Sequence, residues 1–173
     1  MKKIIMALTV VALACVAAPQ AYAGSIAVID AQEILYKSNA GKRLKAALEQ
    51  AKTEGQKEIA AMEAKFAKQQ EELERKKSIL SEDKFLEERT KLVKLSRDYN
   101  VKAQNIQDAI DQELTIGRKE ISDAIRTVVN EVSAQRKFDL VMNKSQLLYH
   151  SDSVDITNDV LTMVNKRLDK KGQ

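Results

Sequence analysis

Cysteine and proline occur once each in this 173-residue chain, as Cys15 and Pro19, tryptophan is absent, and glycine is limited to five positions. Past residue 23 there is no thiol, so the rest of the chain must be held by packing or assembly rather than by disulfides. Histidine is limited to His150, which excludes a metal centre of the usual His/Cys kind and reads as a structural or surface residue. Aromatic residues make up 4% of the chain, too few to offer stacking platforms for bases, and nucleic acid is not an expected partner. No glycine-rich phosphate loop, nucleophile elbow or zinc-hydrolase motif occurs. The carboxylates fall mostly at helical spacing beside lysines, as solvated i,i+4 pairs do. The chain is therefore read as non-enzymatic and without a cofactor.

What is present begins with a targeting pattern. Lys2 and Lys3 precede an apolar run from Ile4 to Ala18, and Ala21-Tyr22-Ala23 forms an A-x-A site, together a secretory signal peptide over residues 1–23. A rival reading takes Leu13-Ala14-Cys15 as a lipoprotein attachment site, but Ala12 stands where a leucine is usual. Cleavage after Ala23 leaves residues 24–173 for the periplasm. Removing Lys2 and Lys3 from 29 basic residues leaves 27 against 25 acidic ones, a net of +2, so the precursor pI of about 9.0 overstates how basic the working chain is.

The dominant stretch is 42–136, without proline and with glycine only at Gly55 and Gly117. Apolar residues recur every three to four positions: Leu44, Leu48, Ile59, Met62, Phe66 and Leu73 in its first half, then Phe85, Leu92, Leu95, Tyr99, Ile106, Ile110, Leu114, Ile121, Ile125, Val128 and Val132. That is a helical period filled with Lys, Glu, Gln and Ala. As one helix it would reach about 140 Å, so it must fold back. Ser81 can cap a new helix whose first turn holds Glu82 and Asp83, while Arg75, Lys76 and Lys77 close the helix before it, the charge signs that helix dipoles favour. Two long antiparallel helices meeting at a tip near 78–82 follow. Their stripe suits a coiled-coil seam and is too narrow for a multilayer core.

Flanking segments 24–41 and 137–173 carry strand signals. Ile26-Ala27-Val28-Ile29 reads as a buried strand, Phe138-Asp139-Leu140-Val141-Met142 as a second, and Gln146-Leu147-Leu148-Tyr149-His150 as a third after a turn at Asn143-Lys144-Ser145. Asp30 can cap a short helix over 31–37, Ser38 or Asn39 the long one, and a final amphipathic helix opens at 155–159. So small a sheet buries too little to offset chain entropy and leaves open edges. Self-association is the expected remedy, with the number of copies not fixed by this argument. The fold class is α+β, mostly α: a long helical hairpin on a small β-body.

The order of these parts resembles the Skp (OmpH) family of periplasmic chaperones. The match rests on the strand Ile26 to Asp30 with Ile34-Leu35 and Gly41-Lys42 after it, the helical hairpin, then Phe138-Asp139-Leu140-Val141, Leu148-Tyr149, Asp155-Ile156-Thr157 and Asp159-Val160-Leu161. The resemblance implies a homotrimer in which strands of three chains close a β-barrel body and three arms surround a cavity. Unfolded outer-membrane proteins would be held there without ATP. By position, Ile26, Val28, Ile29, Leu140, Val141, Met142, Leu148 and Tyr149 would build the body. Members of the family are often strongly basic; the small mature charge departs from that, and no lipopolysaccharide site is carried over.

Within the arm, charge is uneven. From Arg75 to Arg97 there are eight basic residues and four acids, and Arg75, Lys76, Lys77, Lys84 and Arg89 are candidate contacts for acidic clients or an anionic membrane surface, the alternative being a solvated helical face. Met62, Phe66, Phe85 and Tyr99 either seal the seam or face a cavity, where they would offer adaptable contacts. Gly55 and Gly117 mark either bends or close helix packing, with packing favoured. Three function classes remain: a holdase chaperone, a structural periplasmic coiled-coil adaptor with one defined partner, and a polyanion binder, which the small mature charge and the lack of tryptophan disfavour.

Overall fold

Short capping signals set where each element begins. The computed structural model describes residues 24–171; the signal-peptide reading, with Cys15 and Pro19, falls outside the described residues. Strand β1 covers Ile26–Ile29. Asp30 then accepts the Glu33 N–H on its side chain and starts helix α1, Ala31–Lys37. Ser38 is fully buried and accepts the Gly41 N–H through Oγ at 3.0 Å, opening helix α2, Asn39–Lys76. A Cβ on Gly41 would lie 1.8 Å from the Leu35 carbonyl oxygen, so the α1–α2 kink admits only glycine there.

At the tip the chain turns through 77–81 and helix α3 runs from Glu82 to Arg136. Ser81 takes the N-cap position with extended backbone but makes no side-chain cap hydrogen bond; Glu82 and Asp83 supply the favourable negative charge of the first turn. With 38 and 55 residues, α2 and α3 measure about 57 and 82 Å. Lys137 ends α3 in the left-handed conformation, φ 57°. Strand β2 (Leu140–Asn143), two short 3₁₀ turns and helix α4 (Thr157–Lys171) complete the chain.

β1 and β2 pair in parallel, Ile26 opposite Leu140 and Ile29 opposite Asn143. The other edge of β1 is occupied by the segment before α4: Val28 bridges to Asp155, and the Ile156 N–H donates to the Val28 carbonyl at 2.9 Å. A buried threonine ties these parts together, Thr157 Oγ1 accepting the Asp30 N–H at 2.8 Å while its own N–H donates to Asp155 Oδ1 at 2.9 Å.

The core corrects two expectations. Ile121, Ala124, Ile125, Val128 and Val132 of α3 are buried against Ala27, Ile29, Ile34, Ile156, Val160, Val164 and Leu168. The last part of the long helical run is thus the wall of a multilayer core and not a two-helix seam, because its apolar positions widen there to meet α1, α4 and β1 together. The third strand is also absent. Residues 147–150 take no strand conformation, since Lys144–Gln146 turns as a 3₁₀ helix and leaves Leu148 and Tyr149 in solvent, at 109% and 85% exposure.

Candidate functional site

From the body outwards α2 and α3 have only each other. Their antiparallel register is fixed by close contacts: an added Cβ on Gly117 would lie 2.6 Å from Leu44 Cδ1, and one on Gly55 2.6 Å from Ile106 Cγ2. Both glycines therefore mark close packing, where the facing side chain fills the space that a Cβ would need. Further out, Lys102 pairs with Glu58 at 2.9 Å, and the Tyr99 hydroxyl donates to Glu63 at 2.6 Å. That hydrogen bond is the main reason the Tyr99 pKa lies above the usual phenol value.

Met62, Phe66, Phe85 and Tyr99 are all half-buried, as two helices without a third layer require. The more exposed apolar groups of the arm are others. Ile79 stands out at the tip, and Leu86, Val93 and Val101 along α3 are each more than half exposed. At 100° per residue these three lie within one sector of α3, turned away from the sector of Tyr99 and Ile106 that meets α2. The sequence signal for them is the doublets Phe85-Leu86 and Leu92-Val93, in which one member serves the seam and its neighbour faces out. Counting one stripe hides the second.

Cations surround this apolar face. Arg75 pairs with Glu71 one turn before it, and Lys91 is held between Glu87 at 2.8 Å and Glu88 at 2.7 Å. Those contacts raise the Lys91 pKa above the usual lysine value, with the Glu87 hydrogen bond first among the causes, and lower that of Glu87. Among the described ion pairs none involves Lys76, Lys77, Lys84, Arg89, Lys94 or Arg97. The tip half thus presents apolar groups between unneutralised cations.

In the body, Ala27, Val28 and Ile29 are buried, Ile26 and Leu140 are about half exposed, and Val141 and Met142 are partly covered. The outer edge of β2 has no partner strand among the described residues. His150 lies half-buried, its Nδ1 3.3 Å from the Ser151 carbonyl. Among the described residues no group of three His, Cys, Asp or Glu side chains is placed to hold a metal ion, and no helix is long and apolar enough to cross a membrane.

The sequence profile of the family described as outer membrane protein (OmpH-like) matches residues 25–164. Among solved structures, that of an OmpH-like outer membrane chaperone from Caulobacter crescentus CB15 has the same fold, with a TM-score of 0.77 at 15% identity over 83% of this chain and 85% of that one. No curated protein matches the sequence.

Proposed function

The chain belongs to the OmpH-like family, and from that premise we propose that it is an ATP-independent periplasmic holdase that keeps unfolded outer-membrane proteins from aggregating before insertion. The observation that carries the reading is the outer face of α3. Leu86, Val93 and Val101 are uncovered on an arm whose own fold does not use them. Dispersed apolar groups on a long, proline-free arm can engage many extended segments weakly, which suits a client with no fixed shape. The free cations among them would draw in acidic clients or an anionic membrane surface, an effect that salt screens.

The working form is a homotrimer on this reading. A two-stranded sheet with one bare edge, followed by Leu148 and Tyr149 in solvent, is a surface completed by pairing with further copies. Segment 146–150, which has strand composition without strand structure in the single chain, would join the sheet there.

The test is light scattering of a urea-unfolded outer-membrane β-barrel protein, diluted without ATP into buffer with and without excess of residues 24–173, at low and at high salt. The expected result is suppressed aggregation and a soluble complex with the mass of three copies and one client. Undiminished aggregation by a well-folded protein would instead leave the adaptor with one defined partner.

A further inference from the structure

Where the arm leaves the body, α1, α2 and α3 enclose a solvent-open pocket of about 190 Å³ lined by Leu35, Tyr36, Gly41, Leu44, Leu48 and Leu114, with the exposed Lys45, Glu49 and Arg118 completing it. Its size selects its occupant. A closed cavity of about 150 Å³ lined by Leu, Ile and Phe accepts a benzene molecule, so a solvent-open pocket of this size has room for a single side chain of leucine or phenylalanine size and not for a length of polypeptide.

Charge at the margin narrows the choice. Leu44 packs on Gly117, so the next residues along, Lys45 on α2 and Arg118 on α3, come to the same pocket from opposite helices. Neither belongs to any ion pair among the described residues, and neither does Glu49. Ion pairs at i,i+4 spacing close in Lys37–Glu33, Arg75–Glu71, Lys91–Glu87 and Lys119–Asp123 but not in Lys68–Glu72 or Lys94–Asp98. Lys45 and Glu49 share that spacing on α2 yet remain apart. Two free cations beside an apolar pocket match a carboxylate placed next to a large apolar side chain. A polypeptide carries both on one residue at its C-terminus.

We propose that this pocket holds the C-terminal residue of an unfolded polypeptide, the side chain among the leucines and the α-carboxylate on Lys45 and Arg118. Glu49, acceptor-only when ionised, is left to receive the terminal residue's amide N–H, and the two cations outnumber it for the α-carboxylate. This rests on the chaperone reading and deepens it: an otherwise diffuse surface gains one anchoring point with a defined chain polarity.

Fluorescence anisotropy of short labelled peptides against residues 24–173 tests it. Three peptides share one sequence and differ in their ends: phenylalanine with a free carboxylate, phenylalanine amide, and alanine with a free carboxylate. The free phenylalanine end should bind about tenfold more tightly than either of the others, the scale of one charge-assisted contact or one buried apolar side chain. The double variant Lys45→Glu, Arg118→Glu should lose the preference for the acid over the amide at unchanged helicity and assembly mass. Equal binding of acid and amide to the parent protein would overturn the proposal, as would a preference that survives in the double variant. A changed assembly mass would overturn it too, by making the pocket a contact between copies. Peptide binding and client aggregation are separate measurements, so a protein that suppresses aggregation but ignores the peptide terminus loses this site and keeps its chaperone reading.

Discussion

Two parts of a single helix behave differently. Between Ile121 and Val132, α3 is surrounded by α1, α4 and β1, and Ile121, Ala124, Ile125, Val128 and Val132 fall to 7% exposure or less. Between Phe85 and Val101 it touches α2 alone, and even its seam residues stay half-buried while Leu86, Val93 and Val101 face water. The residue types are alike; the number of neighbours differs. Burial, and with it stability, is concentrated in the body half, which leaves the arm half free to keep apolar groups uncovered.

The largest expected effect separates the halves directly. Ile121→Ala should cost about 3 kcal/mol in urea unfolding, the range for a large-to-small change in a closed core. Leu86→Ala should stay within about 0.5 kcal/mol. The triple variant Leu86→Ala, Val93→Ala, Val101→Ala should unfold at nearly the parental midpoint yet hold an unfolded client less well in the scattering assay. A triple variant that captures clients normally would remove the functional side of the contrast.

An intermediate effect probes the seam. Gly55→Ala gains about 1 kcal/mol of helix propensity but drives a Cβ to 2.6 Å from Ile106 Cγ2, an overpacking penalty of about 1–3 kcal/mol. The net should be a destabilisation of about 1 kcal/mol. In an Ile106→Ala background the same change should become stabilising, and thermal melts of the four proteins of this cycle measure the coupling. Additive effects would show that the seam yields without cost.

The smallest effect concerns acid. Partial burial pushes the Asp155 carboxyl up, but hydrogen bonds from Thr157 and Lys144 outweigh this and hold it below its ordinary 3.8. A folded-state pKa lowered in this way adds stability that is complete above about pH 4 and is lost as pH falls through the folded value. Asp155→Asn should therefore reduce stability at neutral pH by less than about 1 kcal/mol and flatten the loss below pH 4. Glu87→Gln in the arm, where the pair with Lys91 is solvated, should leave the acid profile as it is. Melting temperatures across that range distinguish the two.

What the sequence discloses is mainly what short segments decide. The fold-back near Ser81, the Asp30 cap, a second cap at Ser38 or Asn39, the helical run and the strand at Ile26–Ile29 all follow from neighbouring residues, and the folded chain takes Ser38 as that second cap. The parallel pairing of Ile26 with Leu140 does not, because nothing local specifies a partner so distant. Residues 146–150 have strand composition but no neighbouring strand within one chain, so composition alone misplaces them. At the candidate site the seam was legible from its period, whereas the outward face was hidden in apolar doublets. The pocket under α1 is built from three helices whose register only the folded hairpin sets.

The parallel pairing also imposes an order on folding. Contacts along the arm are nested about the tip, so each new pair of turns closes only a short loop once the pair before it has formed. β1 leads the described chain, yet its partner β2 lies 114 residues later, and a closure of that span is slow unless something shortens it. The hairpin does so, because zipping α2 onto α3 carries the two strands to the same place. The part of the described chain that is synthesised first is thus among the last to be secured, and the arm acts as the body's own folding template.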